Sequence, residues 1–322
     1  MRELTIGSND AAQRLDRFLS KAFPGASGSF LQKMIRQKKI KVNHARAQAD
    51  QILRMGDRVQ LYIYEEVLLP LERQIASTKS TRALRYIYQN DQLAIIDKPA
   101  GVLVHPASRA DYGHTIVDAF VQDLILAGEY VPRREKSFTP ALVNRLDANT
   151  SGLLIGAKTH DALMGLPKAL QDGSVIKSYL AIVEGKWDGP GEIHTPLKTV
   201  NGHSFADPEG KESYTEVKAR WTSQRVSLLE VTLHTGRTHQ IRAHLSSEGF
   251  PLVGDYAYGA RMKDSRIHHH QLLSYRLRFK DGGMFGLDDG QEFYSRQTNP
   301  FIHLAEMLRQ VGGSDEYKNS SR

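Results

Sequence analysis

Apolar residues at Leu15, Phe18, Leu19 and Ala22 recur at i, i+3, i+4 and i+7, the spacing of one helical face. Pro24 and Gly25 interrupt that pattern, Ser27 or Ser29 offers a cap, and Leu31, Met34 and Ile35 predict a second helix with Lys33, Arg36 and Lys38 facing outward. The period then changes to two. Ile40 and Val42 alternate with Lys39 and Lys41, Gly56-Asp57 reads as a turn, and Val59, Leu61 and Ile63 read as a closing strand. Residues 1–66 thus form one small module of short helices and strands.

Residues 67–84 hold Pro70 and a Ser/Thr/Lys cluster without periodicity, and are read as a linker. Residues 85–311 read as one larger domain. Tyr86 and Tyr88 alternate, Asn90-Asp91 turns, Leu93 to Ile96 form a buried strand, and Val102 to Val104 return as another after the Pro99-Ala100-Gly101 turn. Further strands are predicted at 153–155, 179–183, 214–219 and 226–233. Helices are predicted at 115–127, at 159–171 behind a Thr159 cap, and at 238–247 behind a Thr238 cap. Many strands joined by short turns with few helices between them argue for an α+β class, with a meander-like, mostly antiparallel sheet. The polar residues 312–322 are expected to be a disordered tail.

Composition narrows the chemistry. The 322 residues include no Cys, which excludes disulfides, thiolate metal sites and a cysteine nucleophile. No N-terminal secretion signal or run of about 18 apolar residues is visible, so the expected address is the cytoplasm. The formal charge is +7, and its distribution is uneven. Between Arg17 and Ala49 lie eight basic residues and no acidic one, so the remainder of the chain carries 35 basic and 36 acidic side chains. Such a one-signed block repels itself unless an anion compensates it, and nucleic acid is the natural partner.

Candidate chemistry concentrates in three places. The first is Val143-Asn144-Arg145-Leu146-Asp147-Ala148-Asn149-Thr150-Ser151-Gly152, which puts a carboxylate on a loop against a buried strand. Asp147 there is either a reacting group or a turn residue bonded to its own backbone. The second is His234-Thr235-Gly236-Arg237-Thr238-His239-Gln240-Ile241-Arg242, where Arg237 at a strand-to-helix corner can meet a carboxylate with its planar fork, and Arg242 can equally contact a phosphate. His239 and His244 are five apart and make a poor metal pair, and His268-His269-His270 reads as a mobile surface loop. The third is the strand holding Tyr179, either a core residue or a platform for a base.

Two resemblances follow from these residues. The order Arg14-Leu15-Asp16-Arg17-Phe18-Leu19, Leu31 through Asn43, and Gly56-Asp57-Arg58-Val59 resembles the S4 RNA-binding domain over residues 12–64. That resemblance implies that Arg17, Lys33, Arg36, Lys38, Lys39 and Lys41 contact RNA. Asn144-Arg145-Leu146-Asp147 through Lys158, with Asp97-Lys98-Pro99-Ala100-Gly101-Val102-Leu103-Val104-His105-Pro106 upstream and Gly236 to Arg242 downstream, resembles the RluA family of pseudouridine synthases over about residues 85–280. It implies an S4-like domain followed by a pseudouridine synthase domain on a mixed, mostly antiparallel sheet. It also implies Asp147 as the nucleophile, Arg237 as its ion-pair partner, Tyr179 stacked on the base, and Arg145 on the flipped-out strand. The substrate implied is large-subunit ribosomal RNA. The sequence departs from the family at Asn144, usually His, where altered RNA contacts are expected, and before the last strand, where the usual Leu-His-Ala is missing.

The implied reaction moves uracil from an N–C to a C–C bond on the same sugar, with nothing oxidised or hydrolysed, so no cofactor and no metal is expected, and the protein is expected to work as a monomer away from membranes. A carboxylate must be held beside a cation where water is excluded, and the target must leave its stack. Two alternatives remain at this level: a synthase acting on transfer RNA, and a non-catalytic RNA-binding or ribosome-assembly protein.

Overall fold

The structure is a computed structural model and describes residues 1–71, 82–132 and 138–310. The N-terminal module runs β1 (Arg2–Thr5), α1 (Leu15–Ala22), α2 (Gly28–Arg36), β2 (Ile40–Val42), β3 (Ala45–Arg46), β4 (Arg58–Leu61) and α3 (Glu65–Leu68). Its four strands form an antiparallel sheet in the order β1-β4-β2-β3. Leu15, Phe18, Leu19 and Ala22 of α1 bury against Leu31 and Ile35 of α2 and Ile40, Val59 and Leu61 of the sheet. Ser27 caps α2 by accepting the Phe30 N–H. The module runs past residue 66: Leu68 is buried in this core, and Leu71 packs on it and accepts the Gly25 N–H. Residues 72–81 of the expected linker 67–84 and the tail 312–322 lie outside the described residues, and Leu84 at the linker's end packs on the core of the larger domain.

The larger domain runs β5 (Tyr86–Gln89), β6 (Leu93–Lys98), α4 (Ile116–Leu126), β7 (Ala141–Leu142), β8 (Ser151–Ala157), α5 (His160–Gln171) and β9 (Val175–Glu184). It continues with β10 (Glu192–Ile193), β11 (Leu197–Val200), β12 (His203–Ala206), β13 (Thr215–Thr222), β14 (Val226–Leu233), α6 (Gln240–Ser247), β15 (Leu272–Phe279), β16 (Glu292–Tyr294) and α7 (Thr298–Gln310). Among the described residues, ten strands make one sheet whose main path is β10-β13-β14-β9-β15-β8-β6-β5. All pairs are antiparallel except β15 with β8. The α+β class and the mixed, mostly antiparallel sheet are therefore as expected.

Period-two patterning divides the sheet into two faces. Ala94 and Ile96, Leu154, and Tyr179, Ala181 and Val183 face one core with α4 and α6. Leu93 and Ile95, and Leu153 and Ile155, face α5. Leu180 and Ile182 face α7. The parallel β8–β15 contact is close, and Gly152 (φ +109°) makes it possible: a Cβ there would lie 2.1 Å from the Ser274 carbonyl oxygen.

Two expected elements differ. Residues 102–104 form no strand, because the Val102 N–H is taken by the Ala148 carbonyl rather than by a ladder. Helix α6 starts at Gln240, and its N-cap is His239 in a left-handed conformation (φ 51°) rather than Thr238.

Candidate active site

Asp147 lies on the loop entering β8, held by its neighbours' backbone. The Thr150 N–H closes a turn onto the Asp147 carbonyl at 3.1 Å. The next carbonyl, of Ala148, accepts three donors: the Gly101 N–H at 2.9 Å, the Val102 N–H at 3.1 Å and the Lys98 ammonium at 2.7 Å. Lys98 is fully buried and also donates to the Pro99 carbonyl at 3.0 Å; burial pushes its pKa down to about 8. Asn144, where the resemblance led to an expectation of altered RNA contacts, turns inward: its side-chain oxygen accepts the Ile155 N–H of β8 at 2.8 Å.

The Asp147 carboxylate is about one-fifth exposed and points at α6. Arg242 Nη1 donates to its Oδ2 at 3.0 Å, while Arg242 Nε and Nη2 grip both oxygens of Asp255 at 2.7 and 2.9 Å. Asp255 is 2% exposed, and the guanidinium lies 4.6 Å from the centre of the Tyr258 ring. One fork thus serves two carboxylates. Asp255 and Tyr258 fix its plane, so the remaining N–H is aimed without freedom to swing. Arg237, by contrast, is exposed and donates its Nε–H to the Glu212 carbonyl at 3.0 Å. The ion pair expected of Arg237 is made by Arg242, because Gln240 accepts the Arg237 N–H and the Thr235 hydroxyl proton, pinning the corner and turning Arg237 outward.

His239 Nε2 lies 3.5 Å from Asp147 Oδ2. Its Nδ1 is 3.0 Å from the Tyr258 hydroxyl, which accepts the Ser204 N–H at 3.0 Å. Both ring nitrogens of His239 thus face polar partners, the Tyr258 hydroxyl and the Asp147 carboxylate, and burial lowers the His239 pKa, which favours a neutral ring. His244 bonds through both ring nitrogens, to Thr215 Oγ1 and the Thr195 carbonyl, each at 2.9 Å. Among the described residues no group of three or more metal-ligating side chains is assembled.

Tyr179, on the face that carries α6, is 5% exposed. Burial raises the pKa of its hydroxyl, and the nearby Asp147 charge raises it further. Asp147, Tyr179 and Arg242 therefore converge, whereas Arg145 and Arg237 stay on the surface. In the N-terminal module Arg17, Lys33, Arg36, Lys38 and Lys39 are exposed, and Lys41 is half-buried with its ammonium over the Tyr62 ring at 5.0 Å. Sequence reasoning missed Lys98, Asp255, Tyr258 and His270 as parts of the site. For Asp255 a signal existed: an acidic residue between the apolar pair Leu252-Val253 and two tyrosines calls for a buried cation. His270, expected on a mobile surface loop, is 5% exposed: the segment leading into β15 sets it against Thr150 of the Asp147 turn.

The chain is similar to several known proteins. Residues 92–247 match the family model described as RNA pseudouridylate synthase, and residues 13–59 match the S4 domain. A protein of Nitrosomonas europaea named ribosomal large subunit pseudouridine synthase D is 34% identical over 265 residues, covering 81% of this chain and 73% of that one. One of Salmonella typhimurium named ribosomal large subunit pseudouridine synthase C is 30% identical over 276 residues, covering 82% of each. The solved structure of human RNA pseudouridylate synthase domain containing 4 shares the fold, with a TM-score of 0.55 at 21% identity over 73% of this chain and 96% of that one. Among the described residues no helix is long and apolar enough to cross a membrane. With an S4 domain ahead of a domain that matches from β6 through α6, including the Asp147 loop, and with relatives at 30–34% identity over most of both chains, the chain belongs to the RNA pseudouridine synthase family.

Proposed function

We propose that this enzyme converts specific uridines of large-subunit ribosomal RNA to pseudouridine, with Asp147 as the nucleophile. The observation that carries the reading is the Asp147 carboxylate on a turn held by three donors at Ala148, facing an Arg242 that Asp255 holds in place. In the reaction the N1–C1′ bond breaks, the base turns, the C5–C1′ bond forms, C5 loses its hydrogen to solvent and N1 gains a proton. Charge on the departing uracil and its sugar changes during these steps, and a preorganised carboxylate in a partly dry site needs no solvent rearrangement to meet it. Tyr179 forms the wall beside Asp147, where a flipped-out base would lie. Arg145 and the exposed cations of the S4 domain supply phosphate contacts, which offset the few kcal/mol that unstacking costs.

The names of the relatives support a ribosomal substrate for this chain as well. The test is hydrogen release from RNA tritiated at uridine C5. Release from large-subunit ribosomal RNA and none from transfer RNA is expected, whereas release from transfer RNA alone would move the assignment to that substrate. RNA binding without release from either would favour a ribosome-assembly role.

A further inference from the structure

The turn that carries Asp147 is gripped from two sides, and only one of the grips comes from the sequence motifs around it. Lys98 and the backbone of residues 101–102 hold the Ala148 carbonyl. On the other side, Thr150 closes the turn through its N–H and places its hydroxyl oxygen 2.9 Å from Nε2 of His270, a residue 120 positions away. Thr150 is 2% and His270 5% exposed, so water does not replace this bond. His270 is itself anchored: the following Gln271 N–H donates to the Val253 carbonyl at 2.9 Å, and the Gln271 carbonyl accepts the Ile182 N–H of β9 at 3.2 Å. The His270 ring also lies within electrostatic reach of Asp147, Arg242, Asp255 and His269, and burial pushes its pKa down to about 4. It is therefore neutral beside Arg242 at physiological pH.

From this geometry we infer that His270 is a positioning residue for the reaction, fixing the Asp147 turn through the Thr150 hydroxyl. The inference rests on Asp147 being the reacting group. Its physical basis is that the segment Asp147–Thr150 is joined to the sheet at two points, Ala148 and Thr150, and that loss of either lets the carboxylate drift from the place Arg242 prepares for it. A misplacement of about 1 Å costs on the order of a hundredfold in rate.

The test measures kcat and KM by tritium release from C5-labelled large-subunit ribosomal RNA for His270→Leu, His270→Gln, Thr150→Val and the His270→Leu/Thr150→Val pair, with thermal melts of each. His270→Leu and Thr150→Val are each expected to lower kcat by about ten- to a hundredfold with KM within about threefold. The pair should be no slower than the slower single variant, since both break one bond. His270→Gln, whose amide reaches the same hydroxyl without charge, should recover kcat to within about threefold of the parent. If His270→Leu does not fold, Thr150→Val, which keeps the side chain's shape, carries the test alone. A fall in melting temperature with kcat unchanged, or a Gln variant as slow as the Leu variant, would overturn the inference. Asp147→Ala in the same assay separates the two levels: release by that variant would sink the nucleophile assignment, whereas its silence beside an unchanged kcat in Thr150→Val sinks only the role of His270.

Discussion

Replacing Arg242 by Ala removes a guanidinium that holds two carboxylates at once. Asp255, 2% exposed, loses bonds of 2.7 and 2.9 Å, and Asp147 loses one of 3.0 Å. An uncompensated buried charge of this kind costs about 3–5 kcal/mol. At roughly 2–4 °C per kcal/mol for a domain of this size, the melting temperature should fall by about 6–20 °C. If about 3 kcal/mol of that interaction also applied to the reacting state, kcat would fall on the order of a hundredfold. Arg242→Lys should restore part of the stability but little of the rate, because an ammonium cannot bridge two carboxylates in a plane. Arg237→Ala, at an exposed side chain whose Nε–H donates to the Glu212 carbonyl, should leave kcat within about threefold and stability within about 0.5 kcal/mol. The assay is single-turnover tritium release with saturating RNA, paired with thermal melts by circular dichroism. A dead Arg237→Ala enzyme beside an active Arg242→Ala enzyme would refute the assignment of the ion pair.

Other consequences follow from the same geometry. Lys98→Met removes donors to the Pro99 and Ala148 carbonyls and should cost about 2–4 kcal/mol by denaturant unfolding; an unchanged midpoint would show that the buried ammonium contributes nothing. Gly152→Ala puts a Cβ 2.1 Å from the Ser274 carbonyl oxygen, so little soluble, folded protein is expected on expression, and a normal melt would contradict the close β8–β15 approach. Burial lowers the His270 pKa to about 4, so the unfolded chain takes up its proton first as pH falls; stability is full above about pH 6.5 and should decline by up to about 3 kcal/mol between there and pH 4, a decline that His270→Gln should reduce in urea titrations. Lys38→Ala with Lys39→Ala should flatten the salt dependence of RNA binding by about one unit of logarithmic slope for each phosphate left without its cation, and an unchanged slope would remove that surface from the RNA interface.

Much of this fold is legible because local pattern and burial agree. Leu15, Phe18, Leu19 and Ala22 are helical and buried as their spacing predicts, and Tyr179, Ala181 and Val183 share one face of β9. The Asp147 loop is legible for a similar reason: a polar turn followed by a buried strand leaves few other geometries. Arg237 against Arg242 is different. Both lie in one basic stretch, and the choice turns on where α6 begins, which depends on His239 adopting a left-handed conformation without the glycine that would announce it. The run His268-His269-His270 reads as surface on composition alone, yet residues 120 positions away bury its last member. Residues 102–104 have the composition of a strand, but the Ala148 carbonyl takes the N–H that a ladder would need. The misses at 102–104 and His270 are long-range hydrogen bonds overriding a local preference, and the one at Arg237 is a local backbone conformation that no residue type announces.

The central claim is that Asp147 performs uridine isomerisation, and one comparison tests it most directly: tritium release from C5-labelled large-subunit ribosomal RNA by the intact enzyme and by Asp147→Ala at equal folded concentration. Release by the intact enzyme and none by a folded, RNA-binding Asp147→Ala variant is the predicted result. Comparable release by both would contradict it.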